Sequence, residues 1–432
     1  MKRSIGYWIL LMVLVSCTGN EVKVNRKSIY KSAKINLQNN FLIKPSVPDH
    51  LYDELIDFKY NKINSFGDKP GLIKFYKKLR KLQNGEDVKI NIAHFGGSHV
   101  QAGQLTSAIR QQFDHFSPHS RGPRGFVFPS RLVKSNGPDY TKIEFSELWK
   151  SCKSSSNKDS CDWGMAGQIA ITKSKINTIK TWAFDIDSVL YPFHSVRIYR
   201  KDIEEAFIIN VINENCKIYS GERYIDVVFE NLQDTLKLEI LKKKQGNSSF
   251  ELQGFLFGNK EEKGITYHDL GVNGAGIKSY LGCDLLEEQL ADLQIDLVII
   301  GLGLNDTYMP KDKFRPNELQ HEYQQFIDLL LNLNPSISIL LLTNNDHYYK
   351  QMSANHNSLF FSDMIDDLAR VNSLSSWDLF KVMGGLNSIR KWEEQELAKP
   401  DLIHFTNKGY QLQANILFEA MMKDYKVFTK EE

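Results

Sequence analysis

The spacing of apolar residues divides this chain into three stretches. From Leu51 to Leu82 apolar residues recur at three- and four-residue intervals, which predicts a helix. The short run "VKINIA" then predicts a strand ending near Ala93, followed by a Gly-rich turn and a helix through about Phe113. A strand that leads directly into a helix is typical of α/β folds, in which helices cover both faces of a sheet.

The pattern changes in the middle of the chain, over residues 126–262. Short segments rich in β-branched and aromatic residues alternate with turns there, as in "QIAIT", "SVRIYR", "AFIINVI", "YIDVVFE", "TLKLEIL" and "FELQGFLFG". This pattern predicts a separate β-sandwich or jelly roll.

Helices and strands alternate again towards the C-terminus. "DLVIIGLG" and "SISILLLT" are typical of buried strands, and "SYLGCDLLEEQLADL" and "NELQHEYQQFIDLLLNL" of amphipathic helices. The last helix follows a Thr406 cap. We therefore predict one α/β domain in two parts, residues 46–125 and 263–432, interrupted by the β domain at 126–262.

Composition and charge add little to this picture. The chain has 432 residues, 42% of them hydrophobic and 25% charged, and a formal net charge of +2. A balance so close to neutral gives no reason to expect nucleic acid as a partner. The cysteines lack zinc-type spacing. Cys152 and Cys161 flank the polar segment "KSSSNKDS" and either form a disulfide or remain free thiols.

The N-terminus predicts export. "MKRSIGYWILLMVLVSC" has a basic start and an apolar run, as in a secretory signal over residues 1–16; a single membrane anchor helix is the alternative. The run ends in "LVSC", which resembles the lipobox of bacterial lipoproteins, a resemblance that implies lipidation of Cys17. Residues 17–45 would form a polar tether. We expect a periplasmic or outer-membrane-associated protein that is bound to the membrane through its N-terminal lipid.

The segment "HFGGSHVQAG" places Ser98 on a Gly-rich turn between a strand and a helix. A serine hydroxyl attacks a carbonyl only where a base takes its proton and hydrogen-bond donors receive the oxyanion. The turn exposes the serine beside helix N-terminal N–H groups, although an ordinary capping serine has the same setting. The G-x-S-x-G elbow of α/β-hydrolases is not matched, because Val100 occupies its last glycine position.

Three later segments supply the missing partners. "DLGVNGAG" is a Gly-rich turn, and "GLGLND" places Asn305 at the carboxyl end of a buried strand, where open α/β sheets bind ligands. In "DLIHFTNKGY", Asp401 precedes His404 by three residues. This spacing lets the carboxylate hold one imidazole nitrogen while the other acts as a base.

With these segments in order, the sequence resembles the SGNH (GDSL-type) hydrolase family. The resemblance implies a three-layer α/β/α domain with a parallel sheet. It also implies a catalytic triad of Ser98, Asp401 and His404, and an oxyanion hole formed by Ser98, Gly274 and Asn305. No metal or organic cofactor is implied.

One position departs from the family pattern. Gly97 stands where the family usually has Asp before the serine, which puts the preorganisation of this loop in doubt. A further pattern, "GSHVQAG…IR…GPRGFVFP" with "LAKPDLIHFTNKGY", resembles an exported bacterial branch related to peptidoglycan O-acetylesterases. In that branch a carbohydrate-binding-like β-sandwich interrupts the hydrolase domain. Acetylated polysaccharide or peptidoglycan is therefore the expected partner.

The functional hypothesis is a serine esterase that removes O-acyl groups, chiefly acetyl, from cell-wall or extracellular carbohydrate through an acyl-enzyme. Two alternatives stay open at this point. The same residues can transfer the acyl group to a sugar, or the chain can be a non-catalytic carbohydrate-binding lipoprotein with a decayed site.

Four histidines lie near the serine in sequence: His94, His99, His115 and His119. They lack carboxylates at ligand spacing, so we interpret them as surface or loop residues rather than as a metal site. His99 either lines the pocket or packs, and packing is preferred.

The remaining aromatic and polar candidates are expected to be structural. Trp377 and Trp392 are interpreted as core or pocket wall. Trp163 and Tyr219 are interpreted as core residues rather than as platforms that stack on a sugar. "TNNDHYY", at 343–349, is interpreted as a polar loop rather than as a substrate contact.

Overall fold

The computed structural model describes residues 49–67, 71–156, 160–202, 205–213, 215–243, 246–261 and 263–431. The predicted signal peptide and the lipidation site Cys17 lie outside these ranges. Within them, no helix combines the length and the apolar character that a bilayer crossing requires.

The strands fall into one mostly parallel six-stranded sheet, two antiparallel sheets of seven and four strands, and one two-stranded hairpin. They are β1 (Asn64–Ser65), β2 (Lys89–Gly96), β3 (Gly125–Val127), β4 (Thr141–Phe145), β5 (Lys150–Lys153), β6 (Gln168–Thr172), β7 (Ile176–Ala183), β8 (Phe193–Asp202), β9 (Phe207–Val211), β10 (Cys216–Ser220), β11 (Tyr224–Gln233), β12 (Leu236–Lys242), β13 (Phe250–Gly258), β14 (Gly264–Gly271), β15 (Leu297–Gly301), β16 (Ser338–Leu342), β17 (Tyr348–Tyr349), β18 (Ser353–Ala354) and β19 (Ser375–Trp377).

The α-helices lie mainly before β3 and after β14. They are α1 (Ile73–Gln83), α2 (Ser98–Gln101), α3 (Gln104–Asp114), α4 (Ile277–Leu281), α5 (Leu286–Leu293), α6 (Leu304–Thr307), α7 (Pro316–Leu333), α8 (Asn357–Val371), α9 (Leu379–Val382), α10 (Ser388–Glu394) and α11 (Asn407–Glu431).

The first sheet has the order β1-β19-β16-β15-β2-β14, and all of its neighbours are parallel except the edge strand β1. Its central strands are apolar on both faces because helices cover both. Ile90 and Ile92 of β2 pack in one core with residues of α1, α3 and α11. Phe95 and Ile300 pack in a second core with residues of α5, α7 and α8. The predicted three-layer α/β/α fold is confirmed.

The chain between α3 and β14 forms two antiparallel sheets. One has the order β10-β11-β8-β13-β6-β5, with β3 beside β13, and the other has the order β4-β7-β12-β9. The two sheets share a hydrophobic core, to which Val196 and Phe250 contribute from the first sheet and Ile179 and Leu238 from the second. Separate antiparallel sheets agree with the predicted β insertion, whereas its boundaries at 126 and 262 stay a prediction.

The predicted helix from Leu51 to Leu82 is wrong over most of its length, since the α-helix begins only at Ile73. The preceding segment turns at Gly67, whose φ of +87° a helix does not allow. Before that turn, Asn64–Ser65 pair with β19. The apolar spacing here came from separate elements that each bury a few residues.

Candidate active site

Ser98 begins α2 directly after β2 and Gly97, at the carboxyl end of the parallel sheet. Its hydroxyl oxygen lies 2.8 Å from Nε2 of His404, although 306 positions separate the two residues in sequence. Nδ1 of His404 lies 2.9 Å from Oδ2 of Asp401. Because the carboxylate accepts the Nδ1 proton, Nε2 presents its lone pair to the serine hydroxyl.

The charge of Asp401 is held by hydrogen bonds. Its Oδ1 accepts the backbone N–H groups of Ile403 and His404, each at 2.9 Å. Partial burial alone would raise the pKa of this carboxyl, but the side chain and backbone N–H of His404 and the N–H of Ile403 lower the pKa to about 2. The carboxylate therefore stays ionised at neutral pH and fixes the orientation of the imidazole.

The loop that carries His404 is fastened at several points. The backbone carbonyl of His404 accepts the N–H of Lys399 at 2.7 Å. Asn345 Nδ2 donates to the carbonyl of Ile403 at 3.0 Å. Thr406 Oγ1 accepts the N–H of Gly409 at 3.3 Å and so caps α11. These contacts fix the backbone around His404 and leave its ring nitrogens to Ser98 and Asp401.

The predicted oxyanion donors come to the same edge of the sheet. The N–H of Val272 donates to the carbonyl of Gly96 at 3.2 Å, which brings the turn containing Gly274 beside the end of β2. Gly274 has a φ of +81°, and its N–H has no acceptor within the described residues. Asn305 Nδ2 donates one hydrogen to the carbonyl of Ala275 at 2.9 Å, which leaves its second hydrogen for a ligand.

Asn305 also lies against the turn that precedes the nucleophile. A Cβ atom built on Gly97 would lie 2.8 Å from Asn305 Nδ2, closer than such contacts are found. The neighbouring Asp306 accepts the N–H of Ile277 at 3.2 Å. Burial raises the pKa of this carboxyl to about 6, although backbone hydrogen bonds oppose the shift. The two loops that supply the donors are thus joined to each other.

His99 packs against the base. Its ring stacks on that of His404 with centroids 5.0 Å apart and planes 28° apart, and its Nδ1 lies 3.0 Å from Tyr410 Oη. Burial, followed by the proximity of His404 and His347, lowers the pKa of His99 to about 3. A neutral His99 adds no positive charge next to the base.

The other histidines show no common site. His115 and His119 are exposed, as expected. The surface or loop interpretation is wrong for His94, which is fully buried in β2 with Nδ1 2.7 Å from Tyr267 Oη, because β2 is covered on both faces. Among the residues that the structure describes, no group of three or more potential metal ligands occurs.

The aromatic residues mostly agree with the sequence interpretation. Trp377 and Trp392 are fully buried, and Trp163 packs against the second core. The core interpretation is wrong for Tyr219, which is 56% exposed because β10 is an edge strand. The segment at 343–349 does not contact the triad through its carboxylate, since Asp346 is buried and accepts the N–H of Ile389.

Three supporting residues were missed from the sequence. Gln101 lies one helical turn after Ser98, so its position on the same helix face could have indicated a role. Asn345 belongs to the segment at 343–349, whose interpretation as a polar loop does not predict its hydrogen bond to the carbonyl of Ile403. Ser155 lies in a polar run with no distinguishing feature, and only its spatial neighbour, Asn273, reveals it.

A cleft of about 430 Å³ opens beside Ser98 and His404. Most of the residues that line it carry polar side chains; besides Ser98 and His404 they are Gln104, Arg131, Ser135, Asn136, Asp139, Lys399, Asn407 and Tyr410. A polar cleft suits a hydrophilic molecule better than a long acyl chain.

A parallel α/β sheet that brings Ser, His and Asp into one hydrogen-bonded chain is the arrangement of a Ser–His–Asp hydrolase. Residues 254–412 match the GDSL-like Lipase/Acylhydrolase family. In agreement with the predicted resemblance, this matched segment is similar to SGNH (GDSL-type) hydrolases, which act on ester bonds. Ser98 lies outside the matched segment because the antiparallel strands separate it from the later motifs.

One solved structure shows the same fold over most of the chain, and two others align over a smaller part. A structure of a peptidoglycan O-acetylesterase aligns with a TM-score of 0.67 and 19% identity, covering 84% of this chain and 99% of its own. An acetyl xylan esterase aligns with a TM-score of 0.30 and 21% identity over 36% of this chain and 81% of its own. A GDSL-like lipase from Bacteroides thetaiotaomicron aligns with a TM-score of 0.29 and 16% identity, covering 37% of this chain and 76% of its own. No curated protein matches the chain in sequence.

Proposed function

We propose that this protein is a serine esterase that removes O-acyl groups, chiefly acetyl, from cell-wall or extracellular carbohydrate. The observation that carries the proposal is the hydrogen-bonded chain from Ser98 Oγ through His404 to Asp401. The same edge of the sheet presents the N–H of Gly274 and the free amide hydrogen of Asn305.

The proposed reaction has two halves. His404 Nε2 accepts the Ser98 proton as Oγ attacks the ester carbonyl, and the N–H groups of Ser98 and Gly274 and the Asn305 amide hold the oxyanion. The tetrahedral intermediate collapses as His404 returns the proton to the leaving sugar hydroxyl, which leaves an acetyl-serine. A water molecule, deprotonated by His404, then attacks the acetyl-serine and releases acetate and the free serine.

The substrate class rests on the cleft and on the structural relative. The many polar side chains around the cleft beside Ser98 favour a sugar as the alcohol and a short acyl group. The structure with a TM-score of 0.67 is that of a peptidoglycan O-acetylesterase, which makes acetylated peptidoglycan the first substrate to test.

The test is acetate release from a panel of acetylated peptidoglycan, xylan and sialoglycan by the wild type and Ser98→Ala. We expect release from at least one polymer by the wild type, and loss of that release in a variant that stays folded. Equal release by both proteins would contradict the proposal. Formation of acetylated sugar when an acceptor is added would point to acyl transfer instead.

We also propose that the protein is exported and lipid-anchored at Cys17, on the basis of the sequence "LVSC". Labelling of cells with a radioactive fatty acid should mark the wild type and not Cys17→Ser. Label in both proteins, or in neither, would contradict the anchor.

A further inference from the structure

Ser155 contacts the oxyanion loop from outside the hydrolase sheet. It follows β5, in the chain that forms the antiparallel sheets, and its hydroxyl donates to the carbonyl of Asn273 at 2.8 Å. That carbonyl belongs to the peptide unit whose N–H is the N–H of Gly274. Ser155 therefore forms a hydrogen bond with the carbonyl of the same peptide unit whose N–H is a proposed oxyanion donor.

The geometry of a peptide unit links these two groups. The described chain contains no cis peptide bonds, so the carbonyl of Asn273 and the N–H of Gly274 point in opposite directions. A hydrogen bond that fixes the carbonyl also fixes the direction of the N–H. This constraint matters because glycine, here with a φ of +81°, allows the adjoining peptide to rotate at little steric cost.

The backbone N–H of Asn273 is also hydrogen-bonded. It donates to Oε1 of Gln101 at 2.5 Å, and Gln101 is 4% exposed at the end of helix α2, which begins with Ser98. Nε2 of Gln101 donates in turn to the carbonyl of Asn136 and to Ser135 Oγ. Asn273 is thus held by α2 on its amide side and by Ser155 on its carbonyl side.

A disulfide closes the segment that carries Ser155. Cys152 and Cys161 are bonded, and the N–H of Ser154 donates to the carbonyl of Gly167 at 2.9 Å. The disulfide and this hydrogen bond join the residues just before Ser155 to other parts of the chain.

We propose that Ser155 is a positioning residue that aligns the Gly274 N–H with the developing oxyanion, and that the Cys152–Cys161 disulfide supports it. This inference rests on the proposed function. If it holds, the segment after β5 contributes a residue that supports catalysis as well as lying beside the site.

The test compares kcat and KM for p-nitrophenyl acetate in the wild type, Ser155→Ala, Ser155→Thr and the matched control Ser151→Ala. The hydroxyl of Ser151 is buried without a hydrogen-bond partner in the described part of the chain. We expect Ser155→Ala to lower kcat by about 10- to 100-fold with little change in KM, since oxyanion donors act in the transition state. Ser155→Thr keeps a hydroxyl and should retain most of kcat, as should Ser151→Ala.

The disulfide is tested by Cys152→Ser/Cys161→Ser in two backgrounds. Removal of the disulfide should lower kcat when Ser155 is present, and should have a much smaller effect in Ser155→Ala, because the two changes then act on the same hydrogen bond. Thermal melting of each variant separates this effect from loss of folding.

The outcomes distinguish the two proposals. Ser155→Ala with wild-type kcat, or with a lower melting temperature alone, would overturn the positioning role while Ser98→Ala still reports on the esterase. A wild type that hydrolyses neither this ester nor the acetylated polymers would overturn both proposals.

Discussion

At the residue scale, the site depends on the space beside Gly97. SGNH hydrolases, which the sequence resembles, usually have Asp at this position, and its absence puts the preorganisation of the loop in doubt. In the structure a Cβ atom at Gly97 would lie 2.8 Å from Asn305 Nδ2 and 3.4 Å from the carbonyl of Ala275, the two groups that form one hydrogen bond. The glycine therefore lets the Asn305 amide approach the nucleophile turn closely.

We expect Gly97→Ala to lower kcat for p-nitrophenyl acetate by about 10- to 100-fold with little change in KM, because the added methyl group displaces an oxyanion donor. Gly282→Ala is the matched control, since a Cβ atom there meets nothing closer than 3.6 Å. A Gly97→Ala variant as active as the wild type would show that Asn305 can move without loss.

At the element scale, α11 follows shortly after His404, the proposed catalytic base, and depends on its cap. Thr406 Oγ1 accepts the N–H of Gly409 and donates to the carbonyl of Glu396 at 2.7 Å, so one hydroxyl joins the helix start to the preceding turn. The cap that fixes the start of α11 therefore lies two residues after His404.

Removal of this cap should destabilise the fold. We expect Thr406→Ala to lower the free energy of unfolding by about 1 kcal/mol, measured by urea denaturation, and Thr406→Ser to change it far less. Equal loss in the two variants would show that the methyl group, not the hydroxyl, matters.

The elements that could be predicted from the sequence are those with strong local patterns. The strands β6 and β13 begin and end where their apolar segments do, and α7 follows its apolar face. The helix predicted from Leu51 was wrong because apolar spacing alone cannot reveal a turn such as that at Gly67. The meeting of Ser98 with His404 was expected from motif order, whereas the contact of Ser155 depends on tertiary packing that no local pattern encodes.

At the scale of the whole molecule, a buried carboxyl makes stability depend on pH. Asp346 is fully buried after β16, and its Oδ1 has no partner among the residues described. Burial raises its pKa to about 7, although backbone hydrogen bonds from Ile389, His347 and Asn387 oppose the shift. Because the folded-state pKa exceeds that of the unfolded chain, this group's contribution to stability is present below about pH 4 and is lost as the pH rises through about 7.

We expect Asp346→Asn, which cannot ionise, to remove this dependence. The stability of the wild type relative to the variant should fall by on the order of 4 kcal/mol between about pH 4 and the pKa of about 7, measured by denaturation at each pH. Asp363→Asn, whose carboxylate is 79% exposed, is the control. Parallel pH profiles for the wild type and Asp346→Asn would show that the pKa of Asp346 is the same in the folded and the unfolded chain.

The central claim is that Ser98 is a nucleophile activated by His404. Its most direct measurement is labelling with a fluorophosphonate, followed by peptide mapping with mass spectrometry. We expect one label per chain, on Ser98, that is lost in His404→Ala. A label on another residue, or an unlabelled protein that still hydrolyses p-nitrophenyl acetate, would contradict it.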